Sequence, residues 1–139
     1  MLVLDSDHLS VLGEPTQAGT RLLHRLSESR EPVATTVVNV EESLRGWLAQ
    51  IHRAASAEAE VIAYQRFQKR VEFFAEWMVL PWDAEAARRI HRFRAQRLRT
   101  ATHDLRIACI TLEHDGLLLT RNAKDFGQVP GLRFENWLD

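Results

Sequence analysis

The sequence predicts an α/β domain: a short, mainly parallel sheet flanked by helices. Three observations predict it. Short apolar runs at Met1–Leu4, Val33–Thr36 and Leu117–Thr120 alternate with long stretches of helical apolar spacing. No two-residue hairpin turn joins neighbouring runs, so the connections read as βαβ crossovers of right-handed sense. At 139 residues without an internal repeat, low-complexity stretch or linker, the chain fits one domain over residues 1–139, long enough to bury about two-thirds of its unfolded surface.

Each element has a local cause. Met1–Leu4 is a buried-type strand ended by Asp5-Ser6-Asp7, and His8–Leu12 is a short helical turn stopped by Gly13 and Pro15. Thr16 caps a helix through about Ser29, with Leu22, Leu23 and Leu26 inward. Pro32 leads the second strand. Asn39 begins a third helix carrying Val40, Leu44, Trp47, Leu48 and Ile51, with Trp47 assigned to the core. Ser56 caps a long amphipathic helix whose Val61, Ile62, Tyr64, Phe67, Val71, Phe74 and Trp77 face the core or a partner. Val79-Leu80-Pro81 is at best an edge strand, because proline cannot donate to a ladder. Asp83 opens the next helix, with Ala86, Ala87, Ile90, Phe93 and Leu98 as its apolar residues. Thr102 caps another, with Leu105, Ala108, Cys109 and Leu112 at i, i+3, i+4 and i+7. Leu117–Thr120 is the third strand, and Arg133-Phe134 is a candidate fourth.

Bulk properties narrow the function classes. Eighteen basic and nineteen acidic residues give a net charge of -1, so any basic patch is local. The single cysteine, Cys109, reads as a small core residue and excludes a disulfide framework or an ordinary thiolate zinc site. Asp5 and Asp7 interrupt the N-terminal apolar run too early for a signal peptide, and no run reaches membrane-span length. The expectation is a soluble, cytoplasmic protein.

Asp5, Glu42, Asp104 and Asn122 are the candidate site. Each follows an apolar run or lies near a helix start, and in a parallel sheet those positions gather at the carboxyl edge, where ligands bind. Each also has a structural reading. Asp5 can end a strand, and Asn39 with Glu42 fits a capping box. Asp104 suits a helix first turn, and Asn122 with Asp125 suits a cap. Together they describe an anionic pocket. Two carboxylates about 5 Å apart repel by roughly 3 kcal/mol at an effective dielectric of 20. Without a cation, one member of such a group should hold a proton; Mg²⁺ or Mn²⁺ removes the repulsion.

Leu4-Asp5-Ser6-Asp7, Val40 to Gly46, Thr102 to Ala108 and Thr120 to Phe126 resemble, in order and separation, the motifs of PIN-domain ribonucleases. In particular they resemble the VapC toxins of bacterial toxin–antitoxin pairs. The resemblance covers essentially the whole chain. It implies a Mg²⁺-dependent endoribonuclease with Asp5 and Asp104 as metal ligands, Glu42 completing the acidic set and Asn122 in the fourth position. Ser6 and Thr120 would be hydroxyls near the metal's water shell. Asn122 stands where relatives often have Asp, and Asp125 supplies a charge if the local turn brings it inward. A homodimer and a small antitoxin partner are implied as well. The alternative is a catalytically silent PIN-like module that binds RNA or antitoxin.

Asp5-Ser6-Asp7 after a strand also resembles haloacid-dehalogenase-type phosphohydrolases, but the later lysine and acidic pair of that family are missing. No histidine pair has metal-ligand spacing. The segment from Asp83 to Arg99 carries six arginines against two acidic residues. Arg97 and Arg99, which precede Asp104, are the expected RNA contacts, with Arg45 and Arg121 as further candidates for the scissile phosphate.

Overall fold

A computed structural model describes residues 1–139. Its elements run β1 (Leu2–Leu4), α1 (Ser6–Leu12), α2 (Gln17–Ser29), β2 (Val33–Thr36), α3 (Val37–Arg53) and α4 (Ala57–Ala75). They continue with β3 (Met78–Leu80), α5 (Ala84–Ala95), α6 (Thr102–Glu113), β4 (Leu117–Leu119), α7 (Ala123–Phe126) and β5 (Arg133–Glu135). The five strands form one sheet in the order β3-β2-β1-β4-β5, parallel at every pairing.

Side-chain alternation along the strands explains why both faces are covered. Val3, Ala34 and Leu118 enter one buried cluster with Ile90, Ile107 and Phe126 from α5, α6 and α7. Leu2, Leu4 and Leu119 point the other way, into a cluster with Leu9, Leu22 and Phe74 from α1, α2 and α4. A period of two thus serves two cores, and near-continuous apolar runs are the signature of a sheet buried on both sides. Cys109 lies fully buried, where loss of hydration pushes its thiol up to about 11. It is a core residue, as expected.

Capping explains most helix starts. Thr16, Ser56, Asp83 and Asn122 each accept a hydrogen bond from the backbone N–H three residues on. Two expected caps differ. α3 begins at Val37 with Thr36 as its cap, so Asn39 lies inside the helix and makes no capping box with Glu42. Thr102 is the first residue of α6 rather than its cap, and Ala101 precedes it without a side-chain bond. α5 ends at Ala95, so Leu98 packs on the core from a loop. The expected edge strand and final strand both form, as β3 and β5. Much of the apolar face expected on α4 is open to solvent: Val61, Ile62, Tyr64 and Val71 are exposed. No helix is long and apolar enough to cross a membrane.

Candidate active site

The strand order reverses direction at β1, with β2 on one side and β4 on the other. In open α/β sheets the crevice outside the strand carboxyl ends at such a switch point is where ligands bind. Asp5 and Thr120 end β1 and β4, and the Asp5 amide donates to the Leu119 carbonyl at 3.0 Å. The sheet therefore brings these two positions together.

Asp5 is 8 % exposed and tightly held. Its Oδ2 accepts the Thr120 hydroxyl at 2.7 Å and its Oδ1 accepts Asn39 Nδ2 at 2.8 Å. Burial pushes its pKa upward, against the pull of those two hydrogen bonds. Asn39 is fully buried and saturated: Thr36 Oγ1 donates to its Oδ1 at 2.7 Å, and Nδ2 also reaches Ser6 Oγ at 3.1 Å. This residue orients the central carboxylate. The capping-box pattern concealed it; Thr36, a second possible cap three residues upstream, takes the cap position and leaves the Asn39 side chain free for Asp5.

Asp104, in the first turn of α6, makes none of the structure's side-chain hydrogen bonds or ion pairs, although it is half-buried. Its pKa is raised to about 6, first by loss of hydration, then by the charges of Asp5, Asp125 and Glu42. The carboxylates of four separate segments therefore act on one another. Asn122 caps α7 and its Nδ2 holds Asp125 Oδ2 at 2.9 Å. The short turn thus carries Asp125 to within electrostatic reach of Asp104, the inward placement the sequence left open. Thr120 Oγ1 accepts the Asn122 amide at 3.1 Å, tying this turn to Asp5 through one hydroxyl. Glu42 is more exposed. Its Oε2 lies 3.0 Å from His103 Nε2, but the two are not aligned as a hydrogen bond, and the buried Nε2 has no partner.

Asp7 stays apart from this group. Burial pushes its carboxyl up, but the bond to His8 Nδ1 at 2.6 Å and the Arg121 amide at 2.8 Å outweigh it and leave it below its ordinary value. His8, wholly buried, accepts the Trp137 amide at Nε2 (3.2 Å). Asp7 and His8 thus fasten the C-terminal segment and β4–α7 loop to α1, a role the sequence did not reveal.

The donor set suits a hard cation. No three His, Cys, Asp or Glu side chains are grouped closely enough to hold an ion by themselves. The nearby oxygens are carboxylates, an amide and hydroxyls, with no sulfur. That composition fits Mg²⁺, which keeps several waters and takes one or two carboxylates, better than zinc. Desolvated, unpaired Asp104 and the orphaned His103 nitrogen are the groups that a cation with its waters would satisfy.

Of the expected RNA contacts, Arg45 is ion-paired to Glu41 at 2.6 Å and Arg121 to Asp139 at 3.2 Å. Arg97 and Arg99 are exposed and form no ion pair. They sit in the loop after α5 rather than on its helical face, with Arg97 in a left-handed conformation at φ 56. Thr100 Oγ1 donates to the Asp125 carbonyl at 3.1 Å, which pins that loop beside the acidic group.

The fold defines a class. No family model matches the sequence, and no curated protein matches it significantly. Among solved structures, VapBC2 from Rickettsia felis, bound to a DNA fragment from its promoter, aligns with a TM-score of 0.72 at 18 % identity, covering 98 % of each chain. VapBC-5 of Mycobacterium tuberculosis, a member of the VapBC family of toxin–antitoxin systems, aligns at 0.54 and 27 % identity over 96 % of this chain and 94 % of that one. VapC20 of the same organism, a sarcin–ricin-loop-cleaving toxin, aligns at 0.55 and 15 % over 91 % and 93 %. The chain has the PIN-like α/β fold of VapC-type toxins, along essentially its full length.

Proposed function

We propose that this chain is a metal-dependent endoribonuclease, the toxin of a toxin–antitoxin pair. The observation that carries the reading is Asp104, a desolvated carboxylate without a hydrogen-bond partner, raised to about 6 beside Asp5, Asp125 and Glu42. A purely structural acidic residue would be paired or solvated. The full-length likeness to toxin–antitoxin proteins supports the same reading, as does the RNA-loop-cleaving activity of one of them.

Asp5 and Asp104 are the residues to hold Mg²⁺, with Mn²⁺ as a substitute; Glu42, Asn122 and Asp125 surround them. When bound, such an ion polarises a phosphoryl oxygen and lowers the pKa of a coordinated water, the chemistry that phosphodiester hydrolysis needs. The protein's own part is orientation. Asn39 and Thr120 fix both Asp5 oxygens, so this carboxylate presents one geometry. Asn122 positions Asp125 rather than acting as a charge itself. The neutral residue at the fourth position favours the silent RNA- or antitoxin-binding alternative. Asp125 answers that objection by adding its negative charge to the field at Asp104. Arg97 and Arg99, free of carboxylates and pinned next to Asp125, are the cations for RNA phosphates on this side. A small antitoxin and a second copy of the chain are the protein partners that the fold likeness suggests.

Labelled RNA incubated with the purified protein and Mg²⁺ tests the proposal, with Asp5→Asn prepared in parallel. Cleavage by the wild type alone, abolished by EDTA and restored by Mn²⁺, is the expected result. Equal cleavage by both preparations, or activity that survives chelation, would overturn it.

A further inference from the structure

A groove opens at the acidic site beside Ser6 and Glu42. One part, of about 320 Å³, is lined by Ser6 and Glu42 at the site end and by Trp47 and Arg70 further out. A second part, of about 270 Å³, shares Trp47 and Arg70 and adds Arg66 and Lys69. Arg66, Lys69 and Arg70 fall at i, i+3 and i+4 of α4, so they stand on one helix face. None of the three forms an ion pair with a carboxylate, whereas Arg45, Arg88, Arg89, Arg121 and Arg133 all do. Glu14 lines the same groove and its charge acts on Arg70, so the outer part of the groove holds three cations against that one carboxylate.

The stripe is also shaped. Arg70 stacks over the Phe73 ring at 5.0 Å and the Phe74 ring at 5.8 Å, which holds its guanidinium in place at some cost in hydration. Gly13 makes room for it: a Cβ there would meet the guanidinium at 3.2 Å. Trp47, which the sequence assigned to the core, is only half-buried and lines both parts of the groove. One cation held by aromatic packing, two exposed cations on the same helix face and an aromatic ring in the groove are the elements of a single-stranded nucleic-acid track: phosphates meet the cations and a base stacks on the ring.

We infer that the groove between α1, α3 and α4 is the track for single-stranded RNA flanking the scissile bond. Arg66, Lys69 and Arg70 contact phosphates there, and Trp47 stacks a base. This rests on the ribonuclease reading for its substrate, but binding can be measured without cleavage. The RNA strand then has cations to meet on the α4 stripe as well as in the Arg97–Arg99 loop.

The test measures anisotropy of a fluorescein-labelled, mixed-sequence single-stranded RNA over a salt series. It uses the full chain carrying Asp5→Asn so that the probe stays intact. Arg66→Glu and Lys69→Glu alter exposed helix positions that make no hydrogen bond or ion pair. Together they should weaken binding and reduce the slope of log affinity against log salt by about 1.4, at about 0.7 per phosphate contact on a single strand. Arg21→Glu, an exposed cation on α2, reproduces the charge change of one replacement and should change little. Trp47→Ala should weaken binding about tenfold, while Trp47→Phe retains most of the affinity because a ring remains. An unchanged slope in the double variant, or equal loss in Arg21→Glu, overturns the track even if the wild type cleaves RNA. Groove-dependent binding in a chain that never cleaves would leave the track standing and remove the nuclease reading instead.

Discussion

Replacing Asp104 with Asn should separate folding from function in opposite directions. The carboxyl is raised from an ordinary 3.8 to about 6, so in the absence of metal its ionised form opposes folding. A folded-state pKa above the unfolded one means that the native protein holds more protons between those values. Stability therefore falls as pH climbs from about 4 to about 6, and the full penalty persists above that. The rise amounts to about 2 pH units, a ceiling near 3 kcal/mol at 1.36 kcal/mol per unit. Asp104 is partly solvated, so screening reduces this to about 1–2 kcal/mol. Asparagine keeps the shape, loses no hydrogen bond and removes the charge. In EDTA, urea denaturation should show Asp104→Asn more stable by about 1–2 kcal/mol near pH 7.5 and nearly equal to wild type near pH 4. RNA cleavage should be abolished at every pH. A destabilised variant, or a stability gain that does not depend on pH, would refute the idea that burial, reinforced by the neighbouring carboxylates, strains the ionised Asp104.

Three further outcomes follow from the same geometry. Asn39→Ala removes the donor to Asp5 Oδ1 and leaves the Thr36 hydroxyl without its acceptor, so it should cost about 1–3 kcal/mol in chemical denaturation and raise the Asp5 pKa further, seen as a shifted carboxyl titration by NMR. Arg97→Glu with Arg99→Glu should weaken RNA binding at low salt without altering the thermal midpoint, because neither arginine has a partner in the fold; unchanged low-salt affinity would remove them from the RNA surface. Gly19→Ala should destabilise the chain despite alanine's roughly 1 kcal/mol advantage in helices, since its Cβ would lie 2.7 Å from the Val11 carbonyl and 2.9 Å from that of Glu14, and a stability gain in calorimetry would contradict this packing.

Apolar runs and caps were readable because they are local. Val33–Thr36 needs only its own branched side chains to favour a strand, and Ser56 or Asp83 needs only the next three residues to start a helix. Asn39 was misread for the same reason: its local pattern matches a cap, while its buried bond to Asp5 spans 34 positions. Trp47 and Arg70 failed to stand out because apolar spacing does not tell a core face from the wall of a groove. The apolar spacing after Asp83 carries the helix as far as Leu98, but α5 stops at Ala95 and the chain turns through left-handed Arg97.

The sequence by itself determined the alternation of strand and helix, the two-sided burial of the sheet and the positions at which Asp5, Asp104 and Asn122 would end or begin an element. Those depend on side-chain periodicity and backbone capping, which act over a few residues. Only the tertiary structure decided that β1 and β4 are neighbours, that Asp125 reaches the field of Asp104, and that Asn39 rather than a metal alone orients Asp5. Strand order and side-chain convergence are settled by how helices pack across both faces of the sheet, and that competition involves the whole chain at once.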